Sequence, residues 1–154
     1  MKNKKLLLLP LVLIVIQFIR PARNIGESKT ERDISHAITV PTEVGSILEK
    51  SCYDCHSNNS TYLWYFNIQP LGWWLQNHIN EGKRELNFSE FASYTPKRQK
   101  KKLKEIAEQL KEKEMPMSSY TLVHTDAKIS DAQIDLVANW ANDELKKIEV
   151  SEKK

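Results

Sequence analysis

The sequence predicts an all-α fold, on three observations. Apolar residues recur at i, i+3 and i+4 in successive segments, the spacing of one helix face. Several of these segments open on a proline or a capping residue. No stretch shows the strict alternation of a half-buried strand. The chain has 154 residues. Setting aside the first 25 or so leaves about one domain's worth of chain.

The elements follow in order. Lys2, Lys4 and Lys5 precede an apolar run from Leu6 to Ile19, interrupted by Pro10 and Gln17, and Arg20 and Arg23 follow it. This is the layout of an export signal. The run is shorter than the roughly 20 residues that a spanning helix prefers, a gap that flanking Lys and Arg can close by snorkelling. Arg20-Pro21-Ala22-Arg23 is a poor cleavage site. Residues 1–23 therefore read first as an uncleaved anchor with its positive tail inside, and alternatively as a cleaved signal. Residues 24–39 are polar and weakly patterned and read as a tether. The folded domain is expected over 40–150.

Pro41 suits the first position of a helix whose stripe is Val44, Ile47 and Leu48. Asn58-Asn59-Ser60 reads as a turn, and Tyr62, Trp64, Tyr65 and Phe66 form an aromatic cluster. Pro70 opens a second helix with Leu71, Trp74, Leu75, His78 and Ile79 on one face and Gly82 at its end. Residues 87–94 read as a connection, with a helical turn starting after Ser89. Thr95 and Pro96 start a third helix with Leu103, Ile106, Ala107 and Leu110 inward, stopping before Met115-Pro116 because proline disfavours a helical residue ahead of it. The last helix has a capping box in Ser130 and Gln133, and Ile129 can staple onto Ile134. Its inner face is Ile134, Val137, Ala138 and Ala141, with Trp140 on the flank.

Charge excludes one class of function. Five of the 23 Lys and Arg lie in residues 1–25, which hold no acid. The other 18 face 20 Asp and Glu, a net of −2. Nucleic-acid binding is not expected of such a domain. The run Lys97-Arg98-Gln99-Lys100-Lys101-Lys102-Leu103-Lys104 reads most simply as a solvated helix face. Its functional reading is a docking patch for an acidic redox partner, steered by charge and weakened by salt. No internal repeat and no phosphate-binding glycine loop is evident.

The chemistry is concentrated in Cys52-Tyr53-Asp54-Cys55-His56, a C-x-x-C-H motif that holds both cysteines of the chain. This is the attachment pattern of a c-type haem. Two thiols on one turn can each add to a vinyl group on the same porphyrin edge, and the adjoining imidazole then faces the iron. In bacteria such haem is attached outside the cytoplasm, which agrees with the export layout. A thioredoxin-like C-x-x-C needs a βαβ setting that is not found. Zinc would need two more ligands, and the spacing to His78 or His124 fits no common zinc pattern. A plain disulfide would not need the histidine.

His56 supplies one axial ligand. Met115 is the first candidate for the other, since it lies on an extended segment just past a helix end, with enough intervening chain to wrap a porphyrin. Thioether ligation raises the potential of the iron. Met117 and His78 are the alternatives, the latter giving a bis-histidine haem. His124 in a loop and His36 in the tether are expected to face solvent. Trp64, Tyr65, Trp74 and Trp140 are candidates for the haem pocket as well as for the core.

A helix, C-x-x-C-H, a Met-Pro segment and then a capped helix with an inward aromatic resembles a class I cytochrome c domain. Lys128-Ile129-Ser130-Asp131-Ala132-Gln133-Ile134 through Trp140 looks like that family's last helix, and Met115-Pro116 matches the place of its axial methionine. More narrowly, Cys52 to Trp140 is similar to a bacterial haem-binding domain family, on Trp64-Tyr65 and Gly72-Trp73-Trp74-Leu75. The resemblance implies a small c-type haem protein, anchored or periplasmic. The aromatic richness of 57–94 departs from a compact cytochrome c. The function expected is single-electron transfer through a His/Met haem on the periplasmic side of the inner membrane. A peroxidase-like enzyme or a haem-based sensor, each needing an open or displaceable sixth position, is the alternative.

Overall fold

A computed structural model describes residues 2–152. Helix α1 (Lys2–Val15) continues as a 3-10 turn, Ile16–Phe18. The charged residues Lys2, Lys4 and Lys5 have side chains outside those described. A 3-10 turn at Ile34–His36 leads to α2 (Thr42–Ser51), which passes almost directly into α3 (Tyr53–His56). A 3-10 turn at Trp64–Asn67 precedes α4 (Leu71–Glu85), and another at Phe88–Ser93 precedes α5 (Pro96–Lys111). Then come α6 (Ser118–Thr121), a 3-10 turn at Thr125–Ala127 and α7 (Asp131–Ser151). Among the described residues there is no strand, only an isolated bridge between Ile25 and Asn59. The all-α expectation holds.

The start signals work as their chemistry requires. The Thr95 side chain accepts from the Arg98 N–H, with Pro96 at the first helical position. Ser130 and Gln133 form both bonds of a capping box. These two helices pack chiefly on each other. Leu103, Ala107 and Leu110 of α5 are buried with Val137, Ala138 and Ala141 of α7. Phe88 and Phe91, the largest fully buried side chains, close the core from the turn that connects α4 to α5. They stand at i, i+3 behind Asn87, whose side chain caps the turn by accepting from Ser89 N–H.

Three expectations need correction. Residues 24–39 are docked on the domain and are not a loose tether. Asp33, Ile34 and Ile38 are buried. Asn24 donates to the Ser57 carbonyl and to Ser60 Oγ, and Thr30 donates to the Ser89 carbonyl. A polar segment escapes a hydrophobic-pattern search when hydrogen bonds hold it.

Helix α4 does not end at Gly82 but runs on to Glu85. Its buried face is Gly72, Gln76 and Ile79, while Leu71 and Trp74 are exposed. Gln76 goes inward because its side chain accepts from the Tyr62 hydroxyl at 2.8 Å. Gly72 goes inward because a Cβ there would lie 2.3 Å from the Phe66 carbonyl oxygen. Close approach and a polar partner, rather than bulk, set this face.

Trp140 is not on a flank. It is buried, and its indole Nε1 donates to the Thr39 carbonyl at 2.8 Å. Among the described residues no helix is long and apolar enough to cross a membrane.

Candidate functional site

The motif turn is held from both sides by its own two variable residues. Tyr53 stacks on Phe88 with centroids 5.1 Å apart, and its hydroxyl donates to Asp33 Oδ2 at 3.0 Å. Burial, reinforced by the Asp33 carboxylate, raises the Tyr53 pKa, so its hydroxyl stays a donor. Asp54 accepts from Thr61 N–H at 3.0 Å and from the Tyr120 hydroxyl at 2.8 Å. The turn is thereby tied to the docked 24–39 segment through Tyr53 and to α6 through Asp54.

His56 is oriented by α4. Its Nδ1 lies 3.0 Å from both the Gly82 and the Leu86 carbonyl oxygens. Carbonyls only accept, so Nδ1 carries the hydrogen and Nε2 is the nitrogen left for a metal. An imidazole whose second nitrogen is bonded to backbone carbonyl is the usual arrangement of a metal-ligating histidine. Burial lowers the pKa of His56 below its ordinary 6.5; the two carbonyl bonds oppose this and the Lys102 charge adds to it. The ring is neutral at neutral pH. Gly82 makes the approach possible, since a Cβ there would lie 2.8 Å from the Cys55 carbonyl oxygen and 3.3 Å from its Cβ.

Both cysteines are free thiols. Burial pushes the Cys52 thiol up to about 12 and the Cys55 thiol up to about 11; repulsion between the two cysteines adds to the first shift and the Asp54 carboxylate to the second. Among the described residues no group of three or more His, Cys, Asp or Glu is placed to hold a metal ion.

Cys52, Cys55 and His56 open onto a cavity of about 580 Å³ between α2, α3, α4 and α5. That is within the range of roughly 300–1,000 Å³ found for cofactor and small-molecule sites. Its wall is mainly apolar, with Leu48, Leu86, Phe88, Ile106, Leu110 and Pro116 contributing. Met115, Met117 and His78 all line it. The structure thus brings every proposed iron ligand to one cavity. His78 is half-buried, packs tilted against the Trp74 ring with centroids 4.3 Å apart, and donates Nδ1–H to the Trp74 carbonyl at 2.8 Å.

The four aromatic pocket candidates fare differently. Trp64 is 74% exposed and Trp140 lies in the core, and neither lines the cavity. Tyr65 and Trp74 line a smaller pocket beside it, which shares Cys55, His78, Met117 and Tyr120 with the large one. The aromatics on the large cavity itself are Phe88 and Tyr120, which the sequence reading did not select. Phe88 had a signal in its i, i+3 pairing with Phe91; Tyr120 had none.

His124 is not a solvent-facing loop residue. Its Nε2 is 2.6 Å from the Tyr65 hydroxyl, and its ring stacks on Tyr120 at 4.2 Å. His36, as expected, is exposed. The basic run on α5 is largely neutralised. Lys101 and Lys104 pair with Glu105 and Glu108, Lys100 pairs with Glu152, and Lys102 is buried against Glu105 at 2.7 Å.

An apolar cavity of this size, with an imidazole fixed through Nδ1, two thiols on the same turn and two thioethers in the wall, has the size and lining of a cofactor site. The chain matches the family described as the haem-binding domain over residues 11–143, and it belongs to that family. No curated protein and no solved structure matches it. It is accordingly a haem-binding protein with an all-helical fold.

Proposed function

We propose that the protein carries single electrons outside the cytoplasm, through one haem c joined to Cys52 and Cys55 and ligated by His56 and Met115. Haem in such a site supplies a one-electron iron couple. The observation that supports this reading most is the His56 ring, neutral and locked through Nδ1, on the same cavity as both thiols and Met115.

The residues divide the work. Cys52 and Cys55 would hold the haem through thioethers, each thiol adding across a vinyl group with its hydrogen retained in the product, so that no oxidant would be consumed. Gly82 and Leu86 hold the imidazole against rotation, which limits rearrangement at the metal between oxidation states. The apolar wall excludes water. Met115, on the wall of the same cavity, would hold the iron with its thioether as the second protein ligand. The N-terminal segment anchors the domain to the inner membrane, with the haem on the periplasmic side. The redox partner docks at the Lys97–Lys104 end of α5, where Lys97 and Arg98 are exposed; such docking weakens with salt.

A second reading is favoured by one cluster. Tyr65, His124, Tyr120 and Asp54 form a hydrogen-bonded and stacked group beside the cavity. Such a group could serve acid-base chemistry near a displaceable sixth ligand, as a peroxidase-like enzyme or a sensor requires. Carbon monoxide added to the reduced protein separates the two. An electron carrier leaves its spectrum unchanged, whereas stoichiometric carbon monoxide binding by the wild-type chain would replace this reading with the enzyme or sensor.

A further inference from the structure

The root of α1 is clasped by one segment of the domain. The Gln17 side chain donates to the Gln69 carbonyl at 3.0 Å and accepts from the Gln69 N–H at 2.9 Å. The Trp73 indole donates to the Ile19 carbonyl at 2.6 Å. Arg20 and Arg23 both donate to Asn67 Oδ1, at 2.9 and 2.8 Å. Five bonds between 17–23 and 67–73 give the apolar helix a set direction relative to the domain.

The clasping segment is itself apolar and bare. Trp64, Ile68, Leu71 and Trp74 are exposed, and so are Phe18 and Ile19 on the helix side of the clasp. These are large side chains that stay exposed although they stand on a domain with an ample core. Their surface is continuous with α1, whose described side chains from Leu8 to Val15 are exposed as well.

Length says what covers this surface. A helix of 14 residues reaches roughly 21 Å, short of the ~30 Å hydrocarbon core of a bilayer. A short anchor draws what lies at its root down to the membrane surface. Tryptophan is the side chain most at home there, and Arg20 and Arg23 stand beside it with guanidinium groups suited to anionic headgroups.

We propose that residues 63–74 form a membrane seat: Trp64, Ile68, Leu71 and Trp74 rest in the headgroup layer of the bilayer that α1 enters, holding the haem domain in one orientation. This inference rests on the anchor reading of α1. It makes α4 the membrane-side helix.

The test uses the full haem-loaded chain in vesicles of neutral and anionic phospholipid that contain a lipid-dissolved photoactivated carbene probe, with the labelled peptides mapped by mass spectrometry. The seat predicts label in 6–19 and also in 63–74, with the exposed face of α5 clear. Trp64→Ser combined with Leu71→Ser should lower the 63–74 label several-fold and leave the haem spectrum as it was. Label confined to 6–19 on vesicle-bound chain overturns the seat and leaves the anchor standing. A chain that fails to float with vesicles overturns both. Protection of 63–74 from an aqueous probe in whole membranes but not in pure lipid would assign the face to a protein partner and also overturn the seat.

Discussion

Met115 and His78 face the same cavity, and their competition is settled by single substitutions. His78 bonds Nδ1–H to the Trp74 carbonyl of its own helix, which leaves its Nε2 free as in His56. Met115 lies past the end of α5 on irregular chain. Met115→Ala is expected to open the sixth position, lower the reduction potential and admit carbon monoxide. His78→Ala should leave the spectrum and potential close to wild type. If the two outcomes are exchanged, the ligand is His78. A second prediction concerns Glu105. Burial opposes its charge, but the Lys102 hydrogen bond and charge, with Lys101, outweigh burial and hold the carboxyl below its ordinary 4.5. A depressed folded pKa gives stability that is present above pH 4.5 and lost as pH falls through the folded value. Lys102→Met should therefore flatten the acid limb of stability, measured by denaturant melts between pH 6 and pH 3; an unchanged slope would contradict the coupling. Cys52, Cys55, His56 and Met115 were singled out from spacing and residue type, and the structure places all four on one cavity. Gly82, Leu86 and Lys102 were not, because each serves the site through backbone or through a tertiary approach that has no sequence period.

Between elements, the contact that matters most is α4 against α3. Gly82→Ala would set a methyl 2.8 Å from the Cys55 carbonyl oxygen, and backbone cannot yield as a flexible side chain does. We expect a loss of about 1–3 kcal/mol of stability, together with a lower yield of attached haem as the Gly82 carbonyl leaves His56. Wild-type stability and haem yield in this variant would refute the close-approach account. Ser130→Ala removes half of the capping box on α7 and should cost about 1 kcal/mol with no spectral change, because α7 does not line the cavity. The two helices with explicit caps, α5 and α7, came out of the sequence nearly as built. The inward face of α4 did not. Leu71 and Trp74 match a core stripe, yet Gly72 and Gln76 take the buried side, since the chain must approach Phe66 closely and Tyr62 needs an acceptor. The 24–39 segment was missed for a related reason: its hold is mostly polar, and its apolar pair Ile34 and Ile38, at i, i+4 behind Asp33, is too short to register as an element.

Taken whole, the molecule is a slightly acidic domain on a basic, apolar N-terminal segment, and the two are joined by a clasp of hydrogen bonds rather than by a free linker. The lysine run of α5 read in sequence as a solvated face or a steering patch, and its charges are mostly spent on glutamates one turn away and on Glu152 at the end of α7. Salt should therefore slow electron exchange with an acidic partner only weakly, and a steep salt dependence would point to a different docking face. The central claim is that Cys52 and Cys55 hold the haem covalently, and the most direct measurement is haem retention on the denatured chain. The protein would be exported in a host with c-haem maturation machinery and its haem extracted with acid and organic solvent, beside Cys52→Ala and Cys55→Ala. The account predicts that haem stays on the wild-type chain, and that each single variant gives impaired maturation and a shifted reduced spectrum, as one vinyl group stays unsaturated. Haem that extracts freely from the wild type, or two single variants with normally attached haem and unchanged spectra, would contradict it.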